Sequence, residues 1–296
     1  MIRARETYPR MLDQLLPIPR TPERAARLAT TLLIAAFLAI GVATAASGWH
    51  LADLQAYLAA GQLLATGGNP FEVVVWEQGL PYHYHYAPWF AAVFVPLAAL
   101  PRAVVEVGWT VLLAGASIAA LIPMLRWHGL TAVPIAGLMA FLLSNMVVTG
   151  NVQPLLLAGL VWTVERRAGP LAIGIAASLK LVPILLALVY VGRGEWRRAG
   201  VAVLVGGVLL APSLFFDITP EATDTAGSAL FALAPIAWGA MLLVGIGAAL
   251  SLARTPHAWL AASTSTVLAL PRLLAFDITN LVAALPAPRT NREDDR

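Results

Sequence analysis

Residues 87–101 read APWFAAVFVPLAALP. Whether this stretch crosses a bilayer decides the topology of everything that follows it. It carries no charge, but its 15 residues extend only about 22 Å at a helical rise, short of a hydrocarbon core of ~30 Å. Pro88, Pro96 and Pro101 interrupt it further. The expectation is a re-entrant or interfacial helix with both ends on one side of the membrane.

The rest of the chain makes a membrane the natural solvent. Of 296 residues, 59% are hydrophobic and 12% charged, about half the charge fraction of a soluble domain. That balance excludes a disordered chain, a nucleic-acid module and an ordinary soluble enzyme. Cysteine is absent, which removes disulfides, thiol nucleophiles and thiolate metal sites. The apolar runs are long and do not alternate, unlike an outer-membrane barrel. Candidate spans are 25–47, 104–125, 131–148, 152–164, 170–178, 182–191, 199–216, 228–252, 258–270 and 273–285. The fold class expected is therefore all-α, a polytopic membrane helix bundle of about ten spans plus the helix of 87–101. Ala43-Thr44-Ala45 resembles a signal-peptide cleavage site, but the long basic region and apolar run before it favour an uncleaved anchor. Several spans are short, as in broken helices that line a cavity.

Charge placement tests this layout. With 87–101 kept outside, 16 Lys and Arg residues fall on the cytoplasmic side and only Arg102, Lys180 and Arg272 on the outer side. If 87–101 crossed, the division would be 9 to 10. The positive-inside rule selects the first. Residues 1–24 and 287–296 become cytoplasmic tails, 25–286 the transmembrane domain, and 48–103 an outer loop with interfacial helices. The localisation expected is a multi-pass cell-membrane protein with both termini cytoplasmic.

The outer loop gathers the residues suited to chemistry. Asp53 and Tyr57 are spaced i, i+4 and would share a helix face. A lone carboxylate at the water boundary, beside aromatic rings, suits a general base; it equally suits an acid in the first turn of a helix. His50 precedes it. The run Tyr82-His83-Tyr84-His85-Tyr86 with Trp89 and Phe90 reads as a sugar or lipid platform, or as an interfacial aromatic belt. His83 and His85 could share a metal on extended backbone, but no third ligand is evident nearby apart from Glu77, and no metal site is expected. Asn151 and Gln153 could bond sugar hydroxyls or cap the next helix. Arg102 and Arg272 could bind phosphate or snorkel to headgroups; Lys180 sits at a turn between apolar helices. Asp277 reads as a structural partner of Arg272 or Lys180. No Gly-rich phosphate loop, nucleophile elbow or HExxH is present, which argues against a soluble nucleotide donor.

Asp53-Leu-Gln-Ala-Tyr57 and 63–71 (LLATGGNPF), then 86–90 (YAPWF), 96–101 (PLAALP), 150–153 (GNVQ) and 177–183 (ASLKLVP) with the basic 193–198 (RGEWRR) together resemble the family 87 membrane glycosyltransferases. The resemblance is to their polyprenyl-phosphate-mannose-dependent α-mannosyltransferase type, and the chain is short for it. It covers roughly 25–198, with a weaker match near 270–281. It implies a GT-C type fold, a polyprenyl-phosphate sugar donor, a glycolipid or glycan acceptor at the outer face, and neither cofactor nor nucleic acid. Asp53 matches the position of the family's general base, which would deprotonate the acceptor so that it displaces the lipid phosphate with inversion. Lys180, Arg272 or Arg102 would stabilise the departing phosphate, and His50, Tyr57, His83 and His85 would orient sugars. The competing readings are a transporter or flippase, which short broken helices would suit, and an inactive structural membrane subunit.

Overall fold

The computed structural model describes residues 51–77, 79–128, 132–218, 234–270 and 275–286, with the helical positions 28, 31, 32, 35, 36, 39 and 231. It is mostly helical. The helices are α1 (Ala52–Ala65), α2 (Pro88–Leu97), α3 (Arg102–His128), α4 (Val133–Thr149), α5 (Gln153–Thr163), α6 (Gly169–Lys180), α7 (Ala187–Arg193), α8 (Trp196–Leu210), α9 (Pro235–Ser251) and α10 (Ala258–Leu268). Short 3₁₀ segments occupy Pro70–Glu72, Val182–Leu186 and Ala211–Phe215, and a longer one Ala275–Ala284.

The residues explain where the helices begin. Proline stands in the first turn of α2, α4, α5, α6 and α9, where its missing N–H costs nothing and its fixed φ suits the helix. Two stretches, Arg102–Arg126 and Trp196–Phe215, are long and apolar enough to cross a membrane; the other apolar helices have 10–17 residues. Broad faces of α3, α4, α8 and α9 are apolar and exposed, among them Val107, Val111, Phe141, Val203, Leu204, Ile236 and Val244. Apolar surface on that scale needs a solvent other than water.

Besides its helices, the outer loop holds an element not named from the sequence: β1 (Val74–Glu77) and β2 (Leu80–His83) form an antiparallel hairpin, with Val74 opposite His83 and Glu77 opposite Leu80. Gly79 turns the hairpin at φ 77°, and Val74, Val75 and Trp76 supply β-favouring side chains. One expectation from sequence needs correction: 273–285, where an α-helical span was expected. The chain there is a 3₁₀ helix of 10 residues, far longer than such helices usually run. The segment 87–101 does contain a short helix, α2. Most of the first expected span, 25–47, lies outside the described residues.

The core beneath the outer loop is aromatic. Tyr57 is 1% exposed. Its ring lies 5.2 Å from Tyr86, 5.1 Å from Phe90, 5.2 Å from Phe94 and 6.2 Å from Trp109, mostly edge-to-face. Such pairs add roughly 0.5–1.5 kcal/mol each beyond area burial. A Cβ on Gly61 would fall 2.8 Å from the Phe94 carbonyl carbon, so α1 and α2 touch through glycine. Helix α3 packs on α5, α6 on α8, and α10 on both α9 and the 3₁₀ helix Ala275–Ala284.

Candidate functional site

Four segments converge on Asp53. Leu51 precedes α1 in the left-handed region, φ 52°, and Asp53 falls in the first turn. Helix α4 ends on Gly150 at φ 78°. A Cβ on Gly150 would lie 3.0 Å from Leu54 Cβ and 3.1 Å from its backbone nitrogen, so only glycine lets the α4–α5 turn approach α1 this closely. The Trp109 indole donates to the Gly150 carbonyl at 2.8 Å and fixes the turn. Asn151 then donates from Nδ2 to Asp53 Oδ2 at 3.2 Å and to the Tyr86 hydroxyl at 3.3 Å. Thr149 also hydrogen-bonds the Asp53 side chain.

Lys180, the last residue of α6, lies within electrostatic range of Asp53. Leu181, just after it, has φ 28° and ψ −53°, a conformation that costs a branched residue of order 1–3 kcal/mol. Among the described non-glycine residues, only Leu51 and Leu181 have positive φ; each lies within two positions of one of these charged side chains. The Trp89 indole donates to Ser178 Oγ at 3.1 Å and holds the end of α6 against α2. The positive charge of Lys180 acts on Asp53.

Crowding by protein strips water from the Asp53 carboxyl and pushes its pKa above the usual range, against the hydrogen bonds of Asn151 and Thr149 and the charge of Lys180. Burial likewise raises the Tyr57 hydroxyl, helped by Tyr86 and Asp53. Tyr82, on β2, is raised by burial and then by the negative charges of Asp53 and Glu77, so the hairpin stands within electrostatic reach of Asp53. The arrangement amounts to a desolvated carboxylate held by neutral donors, with a cation nearby. That set can accept a proton and stabilise a separate anion.

The other residues picked from sequence divide. Asn151 joins Asp53. Gln153 starts α5; its N–H donates to Asn151 Oδ1 at 3.0 Å and its Nε2 to Asn280 Oδ1 at 2.7 Å. Tyr57 is enclosed: its hydroxyl donates to Tyr86 at 3.2 Å and accepts from the Val152 N–H at 3.3 Å. It therefore props the turn. His83 is half-buried and His85 exposed, with ring centroids 5.9 Å apart; among the described residues no group of three His, Asp or Glu could hold a metal. Arg102 is bound to Glu106 at 2.7 Å. It lines a cleft of about 240 Å³ with Gln55, Leu58, Ala59 and Gln62, which lie across α1 from Asp53. His50 and Arg272 lie outside the described residues.

Sequence reading missed Thr149 and Asn280, and met Tyr82 and Tyr86 only as part of a motif. The alternation of Tyr82, Tyr84 and Tyr86 with His83 and His85 was the available signal. Period two turns Tyr84 and Tyr86 inward, where both are buried, and His85 outward.

A family model described as glycosyltransferase family 87 matches residues 84–270. No curated protein and no solved structure matches the chain. The matched stretch contains Tyr86, Thr149, Asn151, Gln153 and Lys180, whereas Asp53 and Asn280 lie outside it.

Proposed function

From its membership of glycosyltransferase family 87, a family of membrane glycosyltransferases, we propose that this chain moves a hexose, mannose first among candidates, from a polyprenyl-phosphate donor to a hydroxyl of a glycolipid or glycan at the outer membrane face. Asp53 is the general base. It takes the acceptor's proton as the acceptor oxygen attacks the anomeric carbon from the face opposite the lipid phosphate. The bond from anomeric carbon to phosphate oxygen breaks, its electron pair leaves with the lipid phosphate, and the anomeric centre inverts. A phosphate leaves without strong protonation, so one base suffices.

The observation that carries this reading is the environment of Asp53. Burial raises its carboxyl toward the range useful to a base, while Asn151 and Thr149 orient it. Lys180 faces the departing phosphate and offsets its charge in a partly dry site. Asn151 and Gln153 meet sugar hydroxyls, His50, His83 and His85 contact the sugars from the loop, and Arg272 assists Lys180. The multi-pass layout, with both termini cytoplasmic and 48–103 outside, belongs to the same proposal.

Transfer in proteoliposomes tests it. Purified protein is supplied with radiolabelled polyprenyl-phosphate mannose, polyprenyl-phosphate glucose or nucleotide sugars, and glycolipid acceptors. Label is expected to move from a lipid-phosphate hexose and to appear in the inverted linkage by NMR. Transfer from a nucleotide sugar instead, or from no donor at all, would overturn the reading.

A further inference from the structure

Asn151 meets Asp53 through a carboxamide whose orientation is set by its other neighbours. The residue is buried. Its Oδ1 accepts the Gln153 N–H at 3.0 Å. That donor is a backbone group and can only donate, so it fixes which end of the carboxamide is oxygen. Nδ2 faces the other way, and its two protons have two acceptors: Asp53 Oδ2 at 3.2 Å and the Tyr86 hydroxyl at 3.3 Å. The amide group is planar and its two N–H bonds diverge at a fixed angle, so anchoring one aims the other. Tyr86 is itself held in place. It is buried, it accepts the Tyr57 hydroxyl at 3.2 Å, and its ring lies 5.2 Å from Tyr57 and 5.5 Å from Phe90. Tyr57 in turn accepts the Val152 N–H at 3.3 Å, which closes the arm on the turn that carries Asn151.

We propose that Tyr86 is a positioning residue of this site: its hydroxyl sets the plane of the Asn151 carboxamide, so that one N–H of Nδ2 is directed at Asp53. Calling Asp53 a base rests on the function proposed above; the arm from Tyr86 through Asn151 to the carboxylate does not. Tyr86 acts through Asn151, and the consequence is electrostatic. Hydrogen bonds from Asn151 and Thr149 and the charge of Lys180 favour the ionised Asp53, against burial. Without the Tyr86 hydroxyl, the carboxamide is held at Oδ1 only and turns about that bond. The N–H to Asp53 weakens, and the carboxyl keeps its proton to higher pH. Tyr57 on α1, Tyr82 on β2 and Lys180 on α6 also bear on Asp53 or feel its charge. Glu72, Glu77 and His83 stand on loop segments packed against α1. None of these is substituted in the variants below, so a difference from wild type reads the arm itself.

The test titrates Asp53 apart from turnover. Its carboxyl band is followed against pH by difference infrared spectroscopy on the full chain in nanodiscs, with the spectrum of Asp53→Asn subtracted to identify it. Tyr86→Phe should raise the midpoint by about one pH unit, the weight of one weakened hydrogen bond to a charged group. Asn151→Leu should raise it at least as far, and adding Tyr86→Phe to Asn151→Leu should move it no further. Tyr84→Phe is the structural control. It removes another buried hydroxyl of the same cluster, one that donates to the Ala87 carbonyl at 2.9 Å, and should lower thermal stability without moving the midpoint. An unmoved midpoint in Tyr86→Phe, an equal rise in Tyr84→Phe, or a further rise in the double variant would each overturn the inference. Should Tyr86→Phe fail to fold, Asn151→Leu decides, and an unmoved midpoint there overturns it as well. In the transfer assay, the acid limb of Tyr86→Phe should rise with the midpoint. A raised midpoint alongside full transfer by Asp53→Asn would keep the arm and remove the base. Transfer abolished in Asp53→Asn with an unmoved midpoint in Tyr86→Phe would keep the base and remove the arm.

Discussion

Helices α5 and α6 run between two clusters of charge, and the clusters are built on opposite plans. At the far end, Glu165 takes both arms of Arg193, at 3.0 and 3.2 Å, and a hydrogen bond from the Trp259 indole. Arg193 also donates to the Ala253 carbonyl at 2.8 Å and lies 5.6 Å over the Trp259 ring. Arg198 binds Glu195 at 2.8 Å, the Val164 and Arg166 carbonyls, and stacks 4.2 Å over Tyr190. The charges there are neutralised in contact. At the near end, the hydrogen bonds to Asp53 come from neutral side chains, and burial disfavours its charge. A charge saturated by contact opposes change, whereas a desolvated carboxylate on neutral donors is poised to take a proton. The first end is therefore built for stability, and the second is the one we propose for chemistry.

The largest expected effect breaks the near end. Asp53→Asn keeps the shape and can still meet Asn151, but it cannot accept a proton. Transfer should fall about 10²–10⁴-fold, the usual worth of a general base, with the melting temperature preserved. The pH response follows from the raised carboxyl. In the folded chain Asp53 holds its proton above the ordinary value near 3.8. The base form is therefore lost as pH falls through a value higher than that of a free aspartate, and transfer should decline on an acid limb displaced upward. Stability has the opposite slope. The folded state binds more protons than the unfolded one between the two pKa values, so wild type loses stability as pH rises through that window. Asp53→Asn lacks this slope, and parallel melting curves against pH would expose it. Equal acid limbs, or unimpaired transfer, would end the assignment.

The next effect breaks the far end. Glu165 and Arg193 side chains are 15% and 19% exposed. Glu165→Ala leaves a guanidinium largely buried without its carboxylate and should cost about 3–5 kcal/mol, read as lower resistance to heat or denaturant in nanodiscs. Transfer per folded molecule should stay near wild type. A large kinetic defect with intact stability would erase the distinction between the two clusters.

How much of this could be read in advance depends on the range of each interaction. Expected spans 104–125, 131–148, 152–164, 170–178 and 258–270 fall on α3, α4, α5, α6 and α10, because each helix is announced by its own apolar run, joined in α4, α5 and α6 by a first-turn proline. The hairpin was lost because its strands have only four residues each, too few for a period to declare itself. The 3₁₀ helix Ala275–Ala284 was taken for α-helix because composition does not separate the two. Asp53, Asn151, Gln153 and Lys180 were named from residue type and motif. Their partners were harder: Asn151 meets Asp53 across 98 positions and Gln153 meets Asn280 across 127. Leucine at positive φ, as in Leu51 and Leu181, runs against local preference and is imposed by tertiary packing alone.

The smallest effect sharpens the comparison through two cations named from the sequence. Lys180 and Arg102 were both placed on the outer side and both considered for the leaving phosphate. The structure separates them. Lys180 ends α6 where its charge bears on Asp53, so Lys180→Met should lower transfer about 10²-fold, as loss of one preorganised charge-stabilising group does. The Arg102 side chain is 60% exposed and bonds Glu106 one helical turn away; such surface pairs contribute roughly 0.3–0.5 kcal/mol. Its cleft, lined by Gln55, Leu58, Ala59 and Gln62, lies on the face of α1 opposite Asp53. Arg102→Met should therefore leave transfer unchanged and stability within about 0.5 kcal/mol. Assayed as a matched pair, the two variants each remove one positive charge, one from the end of α6 and one from the start of α3. Equal defects would mean that a diffuse positive field guides the donor; a defect confined to Lys180→Met would place phosphate stabilisation on the Asp53 face.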